Sequence, residues 1–160
     1  MPTPALPTAL TPSVFDRLTD PEAGGPGLRI GYTLSQMMTA VRIDLEELLN
    51  THSPYEDVPA EFPLVADSVL TYGLPDVTAL PAAGDADKQR LGYLLAGIIA
   101  RHEPRLIGVT VTLLDGESRS DLQVQFRIDA RLAVDPSPEV GFVTVMDIFS
   151  GATSVNVADD

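Results

Sequence analysis

The sequence predicts an α+β domain in which helices come first along the chain and an antiparallel sheet follows. Two segments, residues 33–51 and 85–102, carry apolar residues at helical spacing, whereas the segments after residue 105 alternate between apolar and polar residues. A chain of 160 residues with 44% apolar content is long enough to bury one core. We therefore expect a sheet of three to four strands packed on one face by two main amphipathic helices.

Residues 1–31 are predicted to form a proline- and glycine-rich N-terminal arm, and residues 32–160 a single domain. Six of the 14 prolines lie within the first 27 residues, a composition that favours extended backbone. Thr11 can cap a short helix at residues 12–18 with Pro12 at its first position. Its small apolar face consists of Val14, Phe15 and Leu18. We expect this face to dock on a partner protein. The alternative is that the arm folds back on its own sheet.

The first long helix is predicted to begin after Thr33, which has the capping-box spacing to Gln36. Its apolar positions are Leu34, Met37, Met38, Val41, Leu45 and Leu48. Its polar positions are Arg42, Asp44, Glu46 and Glu47. We interpret the polar side as a solvated face.

A proline-rich connection leads to the second long helix. Residues 63–73 predict a short helix closed by Gly73 with a positive φ, and Pro75 prevents its continuation. Asp85 or Asp87 is predicted to cap the second long helix. The apolar face of that helix consists of Leu91, Leu94, Leu95, Ile98 and Ile99.

The strands are predicted at residues 106–114, 122–134, 140–149 and 154–157. Every second residue from Leu122 to Val134 is apolar, which indicates one buried and one solvated face, and residues 115–120 form the preceding hairpin loop. Residues 140–149 are apolar on both faces. This segment is therefore either a covered central strand or in part an edge that receives a partner.

Composition excludes several functions. The chain has ten Lys and Arg residues against 23 acids, a net charge of -13, which argues against nucleic acid as a partner. The apolar runs are too short for membrane insertion and no secretory signal is present, so we expect a cytoplasmic protein.

The chain has no cysteine, and His52 and His102 have no metal-ligand spacing, so we expect no metal and no cofactor. No nucleophile or phosphate-binding motif occurs, and a hydrolase based on a pair of acids is the enzymatic alternative.

The stretch "RHEPRL", residues 101–106, combines a helix end with three ionisable side chains. Pro104 disfavours helical backbone at Glu103, so the chain must turn before the first strand. In one interpretation Arg105 pairs with Glu103 or with the last helix carbonyls and holds the helix against the sheet. In the other, Arg105 binds a partner, and its replacement by Ala leaves the fold mostly intact but weakens assembly.

Five stretches in order resemble one family: "PSVFDRLTD", "VRIDLEELLNT", "SVLTYGLPD", "HEPRL" and "VTVMDIFSG". They are similar to the TssE family, the baseplate wedge subunits of type VI secretion systems, which is related to phage-tail baseplate wedge proteins. His102 stands where family members often have Phe.

The resemblance implies a structural, non-enzymatic baseplate component at the inner face of the cell envelope. Its implied partners are other baseplate wedge subunits, of the TssF, TssG and TssK types, and contractile sheath subunits, whose polymerisation it starts through strand addition. Glu103, Pro104 and Arg105 would contact the helical core bundle of neighbouring wedge subunits.

We expect residues 140–157 to form the sheath-facing edge. The predicted contact residues there are Val143, Val145, Val155 and Val157. The alternatives are a homologous baseplate subunit of a phage tail or extracellular contractile injection particle, or a small regulatory protein-binding module on the same fold.

Overall fold

The chain folds as an α+β domain in which helices precede an antiparallel sheet. The computed structural model describes residues 10–19, 31–54, 58–59, 61–66, 68–76, 85–114, 123–147 and 149–158. The helices in these ranges are α1 (Val14–Thr19), α2 (Leu34–Asn50), α3 (Pro63–Ala66) and α4 (Asp85–His102), with a 3-10 turn at Val69–Thr71. The strands are β1 (Leu106–Leu113), β2 (Gln123–Leu132), β3 (Glu139–Asp147) and β4 (Thr153–Val157). The predicted fold class is confirmed.

The four described strands form one antiparallel meander in the order β1-β2-β3-β4. β1 and β4 are therefore its edges. β3 pairs with β2 on one side and with β4 on the other. Of the two readings of the apolar segment at residues 140–149, the central strand is right.

The core lies between one face of the sheet and the two long helices, with α4 packed mainly on β1 and α2 on β4. The alternation in β2 is confirmed, because its buried residues are Val124, Phe126, Ile128, Ala130 and Leu132. Leu122 lies outside the described residues. Each fully buried large side chain stabilises the fold by roughly 1.5–3 kcal/mol.

The predicted capping box at the start of α2 is confirmed. The Gln36 N–H donates to the Thr33 Oγ1 at 3.2 Å, and the Thr33 N–H donates to the Gln36 Oε1 at 2.9 Å. The buried residues of α2 are Met37, Ala40, Val41, Leu45, Leu48 and Leu49, whereas Leu34 is exposed. The start of the helix is thus fixed by local hydrogen bonds, and its buried face packs in the core along the whole helix.

Helix α1 begins at Val14, two residues later than predicted. Ser13 rather than Thr11 caps it, because the Asp16 N–H donates to the Ser13 Oγ and the Ser13 N–H donates to the Asp16 Oδ2, both at 3.0 Å. The side chains of Val14, Phe15 and Leu18 are between 62% and 80% exposed. The linker at residues 21–27 and most of the predicted arm lie outside the described residues.

The connection between α2 and α4 differs from the single short helix that was predicted, since it contains α3 and a separate 3-10 turn. Gly73 follows with a φ of 110°, which confirms the predicted positive φ. There the chain crosses the end of α2, where the Leu74 N–H donates to the Thr51 carbonyl at 2.7 Å.

Two further loop predictions have different outcomes. Asp85 and Asp87 both lie inside the first turn of α4 rather than before it, so neither is its N-cap, and the preceding residue lies outside the described ranges. The predicted hairpin loop at residues 115–120 also lies outside them.

Candidate functional site: the corner at residues 103–105

The corner, defined as residues 103–105, connects α4 to β1. The Glu103 N–H still donates to the Ile99 carbonyl at 2.8 Å, as in a continuing helix. The Leu106 N–H then donates to the Glu103 carbonyl at 3.1 Å, which closes a tight turn with Pro104 at its second position. Proline is favoured at this position because its ring fixes φ. The chain therefore passes from helix to strand within three residues.

Arg105 joins three elements, two through its side chain and one through its backbone carbonyl. Its Nε donates to the Glu103 Oε1 at 2.7 Å, and its backbone N–H donates to the same oxygen at 3.1 Å. Its Nη2 donates both to the Glu103 Oε2 and to the Asp44 Oδ2 of α2. The Ala133 N–H donates to the Arg105 carbonyl at 2.8 Å, so the turn after β2 is fixed as well. This is the structural pairing that the first interpretation of the stretch described.

The burial of Glu103 makes this pairing important for the fold. Glu103 is only 4% exposed, whereas Arg105 and Asp44 are half-buried. A carboxylate removed from water needs a charged, hydrogen-bonded partner, because burying it alone costs several kcal/mol. Arg105 supplies that partner with two nitrogens against the two carboxylate oxygens.

The third guanidinium nitrogen of Arg105 is unused. Nη1 is buried and has no hydrogen-bond partner in the part of the chain that the structure describes. A buried donor without an acceptor costs about 1–3 kcal/mol. The corner therefore holds one charged donor that its own residues do not satisfy.

The charges at the corner shift two pKa values. Burial raises the pKa of Asp44, and the negative charge of Glu103 adds to this, while Arg105 opposes it. Burial lowers the pKa of Arg105, but hydrogen bonds and charges from Glu103 and Asp44 outweigh it, so the pKa is raised. Arg105 has two carboxylates around it, whereas Asp44 shares its arginine with a second acid. Arg105 thus remains protonated, and Asp44 is a weaker acid than an ordinary aspartate.

An aromatic pair borders the corner. The rings of Tyr72 and His102 meet edge to face with their centroids 5.4 Å apart. Burial, followed by the charges of Glu47, Asp44 and Glu103, raises the pKa of Tyr72. His102, where the resembled family often has Phe, therefore still makes an aromatic contact here.

The predicted sheath-contact residues do not form one surface. Val143 and Val145 lie half-buried on the face of β3 turned away from the helices. Val155 is only 1% exposed and belongs to the core, so its side chain stabilises this domain. Val157 is exposed at the end of β4. The corner lies at the start of the opposite edge strand, β1.

Two side chains of α2 hydrogen-bond the outer edge of β4. The Asn50 Nδ2 donates to the Thr153 carbonyl at 2.7 Å, and the Thr153 N–H donates to the Asn50 Oδ1 at 2.9 Å. The Arg42 Nη1 donates to the Val155 carbonyl at 3.2 Å and forms an ion pair with Glu46 at 2.6 Å. The prediction of a simply solvated polar face is therefore wrong for this part of α2.

The sequence prediction missed Asp44, Arg42 and Asn50 as tertiary contacts. Asp44 follows Val41 by three residues, so it lies beside the apolar stripe of α2, where a polar side chain can reach a neighbouring element. That position was the only signal for Asp44. Asn50 ends the helix and gave no signal beyond its terminal position.

Within the described ranges no group of three or more His, Asp or Glu side chains could hold a metal ion. No helix in these ranges has the length and apolar character needed to cross a membrane.

Comparison with known proteins assigns the family. A family model described as baseplate wedge protein gp25 matches residues 35–137, which is more than half of the chain. The matched region runs from α2 to the turn after β2 and includes Asp44 and the whole corner. No curated protein and no solved structure matches the chain. The resemblance inferred from the sequence is therefore confirmed at the level of the family, and the chain belongs to the baseplate wedge protein gp25 family.

Proposed function

We propose that this protein is a structural component of the baseplate of a contractile injection machine of the type VI secretion kind. It joins wedge subunits and starts polymerisation of the contractile sheath by accepting a strand. The observation that carries this proposal is the family match, because it spans the corner and the helix that binds it. In this role the protein works in the cytoplasm, in a complex at the inner face of the cell envelope, and catalyses no reaction.

The corner supports a role in wedge assembly. Arg105 is half-buried in a turn that is held by α2, α4 and β2, so its direction is fixed before any partner arrives. Preorganised groups bind with a smaller loss of conformational entropy. An acceptor from a neighbouring wedge subunit would satisfy the unused Nη1. In our proposal Glu103, Pro104 and Arg105 form this contact, with subunits of the TssF, TssG and TssK types as partners.

Helix α1 supports a second contact within the wedge. Its three large apolar side chains, Val14, Phe15 and Leu18, are exposed on a helix of six residues. So short a helix is not stable by itself, and an apolar face turned to water favours contact with another protein. We assign it to a groove on a wedge subunit.

The sheet supports the contact with sheath. Its two edges are β1 and β4, and side chains of α2 hydrogen-bond part of the β4 edge. Strand addition to such an edge draws affinity from main-chain hydrogen bonds and selectivity from alternate side chains. It requires no catalytic pocket.

A second candidate is the homologous baseplate subunit of a phage tail or of an extracellular contractile injection particle. The observation that favours it is the family itself, whose description names a baseplate wedge protein without a secretion system. Both candidates share the assembly role and differ in their partners.

The test is reconstitution of sheath assembly from co-expressed wedge and sheath subunits of the same organism, with and without this chain, followed by electron microscopy. We expect sheaths to grow from baseplates only when the chain is present. Arg105→Lys should reduce its retention in the wedge about tenfold, because lysine keeps the charge but loses the planar fork. Arg90→Lys, at an exposed position of α4, is the matched control. A chain that copurifies with neither wedge nor sheath would overturn the proposal.

A further inference from the structure

The connection between α2 and α4 holds large apolar side chains out in water. We define the apolar segment as residues 61–66 and 68–72, which contain α3 and the 3-10 turn. Leu64 and Val69 are 85% and 83% exposed, and Phe62 and Leu70 are at least half exposed. α3 buries none of its four residues. These side chains therefore add little to the core of this domain.

A polar residue is buried in their place. Thr71 is the buried residue of the 3-10 turn, and its hydroxyl donates to the Ala66 carbonyl at 2.8 Å. Removing apolar surface from water is favourable, whereas burying a hydroxyl only exchanges one hydrogen bond for another. Neighbouring exposed apolar side chains mark surfaces that another molecule covers. The segment is therefore better suited to a bound state than to the free protein.

Hydrogen bonds within the segment hold it in this arrangement. The Ser68 hydroxyl donates to the Val65 carbonyl at 2.8 Å and accepts from the Leu70 N–H at 3.3 Å, so it links α3 to the turn. Tyr72 fixes the end of the segment, since its ring meets that of His102 on α4 edge to face. The apolar side chains thus lie on a preorganised backbone, which lowers the entropic cost of binding.

The backbone of the segment makes its hydrogen bonds locally, so it offers no edge to a strand. The N–H groups that donate to acceptors inside the segment are those of Val65, Ala66, Ser68, Leu70, Thr71 and Tyr72. A partner must therefore bind through side chains. An amphipathic helix binds in this way, with apolar anchors at positions i, i+3, i+4 and i+7.

The charge of this part of the chain restricts the partner further. Between Arg42 and Lys88 the sequence has ten acids and no Lys or Arg. One of these acids, Glu61, is exposed and directly precedes Phe62. An acidic surface attracts Lys and Arg side chains and repels acidic ones. The complementary helix is therefore basic.

Acids of neighbouring elements add to the negative field at the end of the segment. Burial raises the pKa of Tyr72 most, and the negative charges of Glu47, Asp44 and Glu103 raise it further. Arg105 is already paired with Asp44 and Glu103, so it does not balance Glu47. The field that a partner meets here is thus negative.

We propose that the apolar segment docks a basic amphipathic helix of a partner protein, with apolar side chains of that helix against Leu64 and Val69 and its Lys or Arg side chains beside the acids. This contact is additional to those proposed for the corner, α1 and the sheet. An anionic membrane is a poorer occupant, because its surface attracts Lys and Arg and repels acids. A second copy is also poorer, since two copies with a net charge of -13 each repel one another.

The first test titrates the full chain with a labelled synthetic peptide of about 18 residues, or about five helical turns, that has Leu and Ala on one face and Lys on the other. Fluorescence anisotropy at physiological salt measures the dissociation constant. Leu64→Ser combined with Val69→Ser should weaken binding at least about tenfold. Tyr93→Ser, at an 80% exposed position of α4, is the matched control and should change binding less than about twofold. Because none of these side chains is buried, circular dichroism should show that the variants stay folded.

A charge variant separates docking at this segment from general attraction between an acidic protein and a basic peptide. Glu61→Lys should weaken binding about threefold. Glu139→Lys, at an exposed position of β3, changes the net charge equally but should leave binding unchanged, because distant charges are screened. A peptide with Glu in place of Lys should not bind. No binding of the Lys peptide, or equal effects of each variant and its control, would overturn the proposal.

Cross-linking in the assembled complex identifies the natural occupant. A photoreactive amino acid replaces Val69, or Tyr93 in the control, during co-expression with wedge and sheath subunits of the same organism. We expect cross-links from position 69 to an amphipathic helix rich in Lys or Arg, which mass spectrometry locates. Cross-links to lipid, to a second copy or to an acidic segment would overturn the proposal, as would their absence in a chain that copurifies with wedge subunits. A chain that copurifies with no wedge or sheath subunit contradicts the proposed function instead, and the peptide titration then decides this inference.

Discussion

The carboxamide of Asn50 lies against the backbone of Thr153 as an adjacent strand would, with its Nδ2 2.7 Å from the Thr153 carbonyl oxygen and its Oδ1 2.9 Å from the Thr153 nitrogen. The same Nδ2 donates to the Glu46 carbonyl at 2.7 Å, in the last turn of α2. One side chain therefore satisfies a helix end and closes a sheet edge.

Replacement of Asn50 by Ala should lower the free energy of unfolding by about 2 kcal/mol, because two hydrogen bonds to Thr153 are lost at about 1 kcal/mol each. Urea denaturation measures this difference. Asn156→Ala, at an exposed position of β4, is the matched control and should change stability by less than about 0.5 kcal/mol. The Thr153 amide should also exchange faster in Asn50→Ala. If both variants have the stability of the unaltered protein, the contact does not hold the edge.

Sequence patterns predicted the elements whose causes are local. The capping box of Thr33 and Gln36 and the alternation in β2 depend on residues a few positions apart, so the sequence alone contains the necessary information. The Glu103–Arg105 pair spans two positions, and for the same reason it was one of the two interpretations that the sequence offered for this stretch.

The rest of the site depends on distant contacts. Arg105 and Asp44 are 61 positions apart, and Asn50 and Thr153 are 103 apart. Whether a polar residue on α2 faces water or a strand is decided by which edge of the sheet the helix packs on, and helical spacing does not contain that information. For this reason the edge at β4 was predicted as open, although α2 hydrogen-bonds much of it.

Replacement of Arg105 by Ala should destabilise the isolated domain by about 3 kcal/mol, because the Glu103 carboxylate is then buried without its cation. This geometry changes the sequence-based expectation that the fold would stay mostly intact. Thermal or urea unfolding checks it, with Arg90→Ala as the control at an exposed arginine.

A second substitution separates the lost pair from other effects. Arg105→Ala combined with Glu103→Gln should be more stable than Arg105→Ala alone, because a neutral amide is less costly to bury than a carboxylate. Should the double variant be no more stable than the single one, the unpaired charge of Glu103 is not the cause.

Asp44 should make the domain less stable as pH rises. Its pKa is raised in the folded state, mainly by burial, so the folded protein holds the proton more tightly than the unfolded chain does. Its contribution is therefore most favourable below pH 3.8, the ordinary value, and declines as pH rises from there through the folded pKa. In Asp44→Asn this decline is absent.

Urea denaturation at several pH values between about 3 and 6 tests this sign. The free energy of unfolding of Asp44→Asn, relative to the unaltered protein, should shift in favour of the variant as pH rises. A shift in the opposite direction would mean that the ion pair with Arg105 outweighs burial at Asp44.

Asp147 should have the opposite pH dependence. The N–H and hydroxyl of Ser150 lower its pKa, with a further contribution from the Phe149 N–H. The stability that it contributes is present above pH 3.8 and is lost as pH falls through its lower folded pKa. Asp147→Asn should therefore be less stable than the unaltered protein at pH 6, and the two should converge in acid. A difference that stays constant across this range contradicts the role of the charge.

Gly73 should be among the positions least tolerant of a side chain. Its φ is 110°, and an added Cβ would lie 2.4 Å from the Thr51 carbonyl oxygen, a backbone atom at the end of α2. The Leu74 N–H donates to that same carbonyl at 2.7 Å, so the two segments cannot separate without losing this hydrogen bond. Gly73→Ala should therefore destabilise the domain by about 3 kcal/mol or more, from backbone strain together with the steric clash.

Gly97→Ala is the matched control, since Gly97 lies inside α4, and an added Cβ there would meet no atom within 4 Å. Alanine is the better helix former, so this variant should be more stable than the unaltered protein by up to about 1 kcal/mol. Parallel urea denaturation of the two variants gives both values under the same conditions. Because the same methyl group is added in each, equal effects at the two positions would contradict a steric clash between residue 73 and the Thr51 carbonyl.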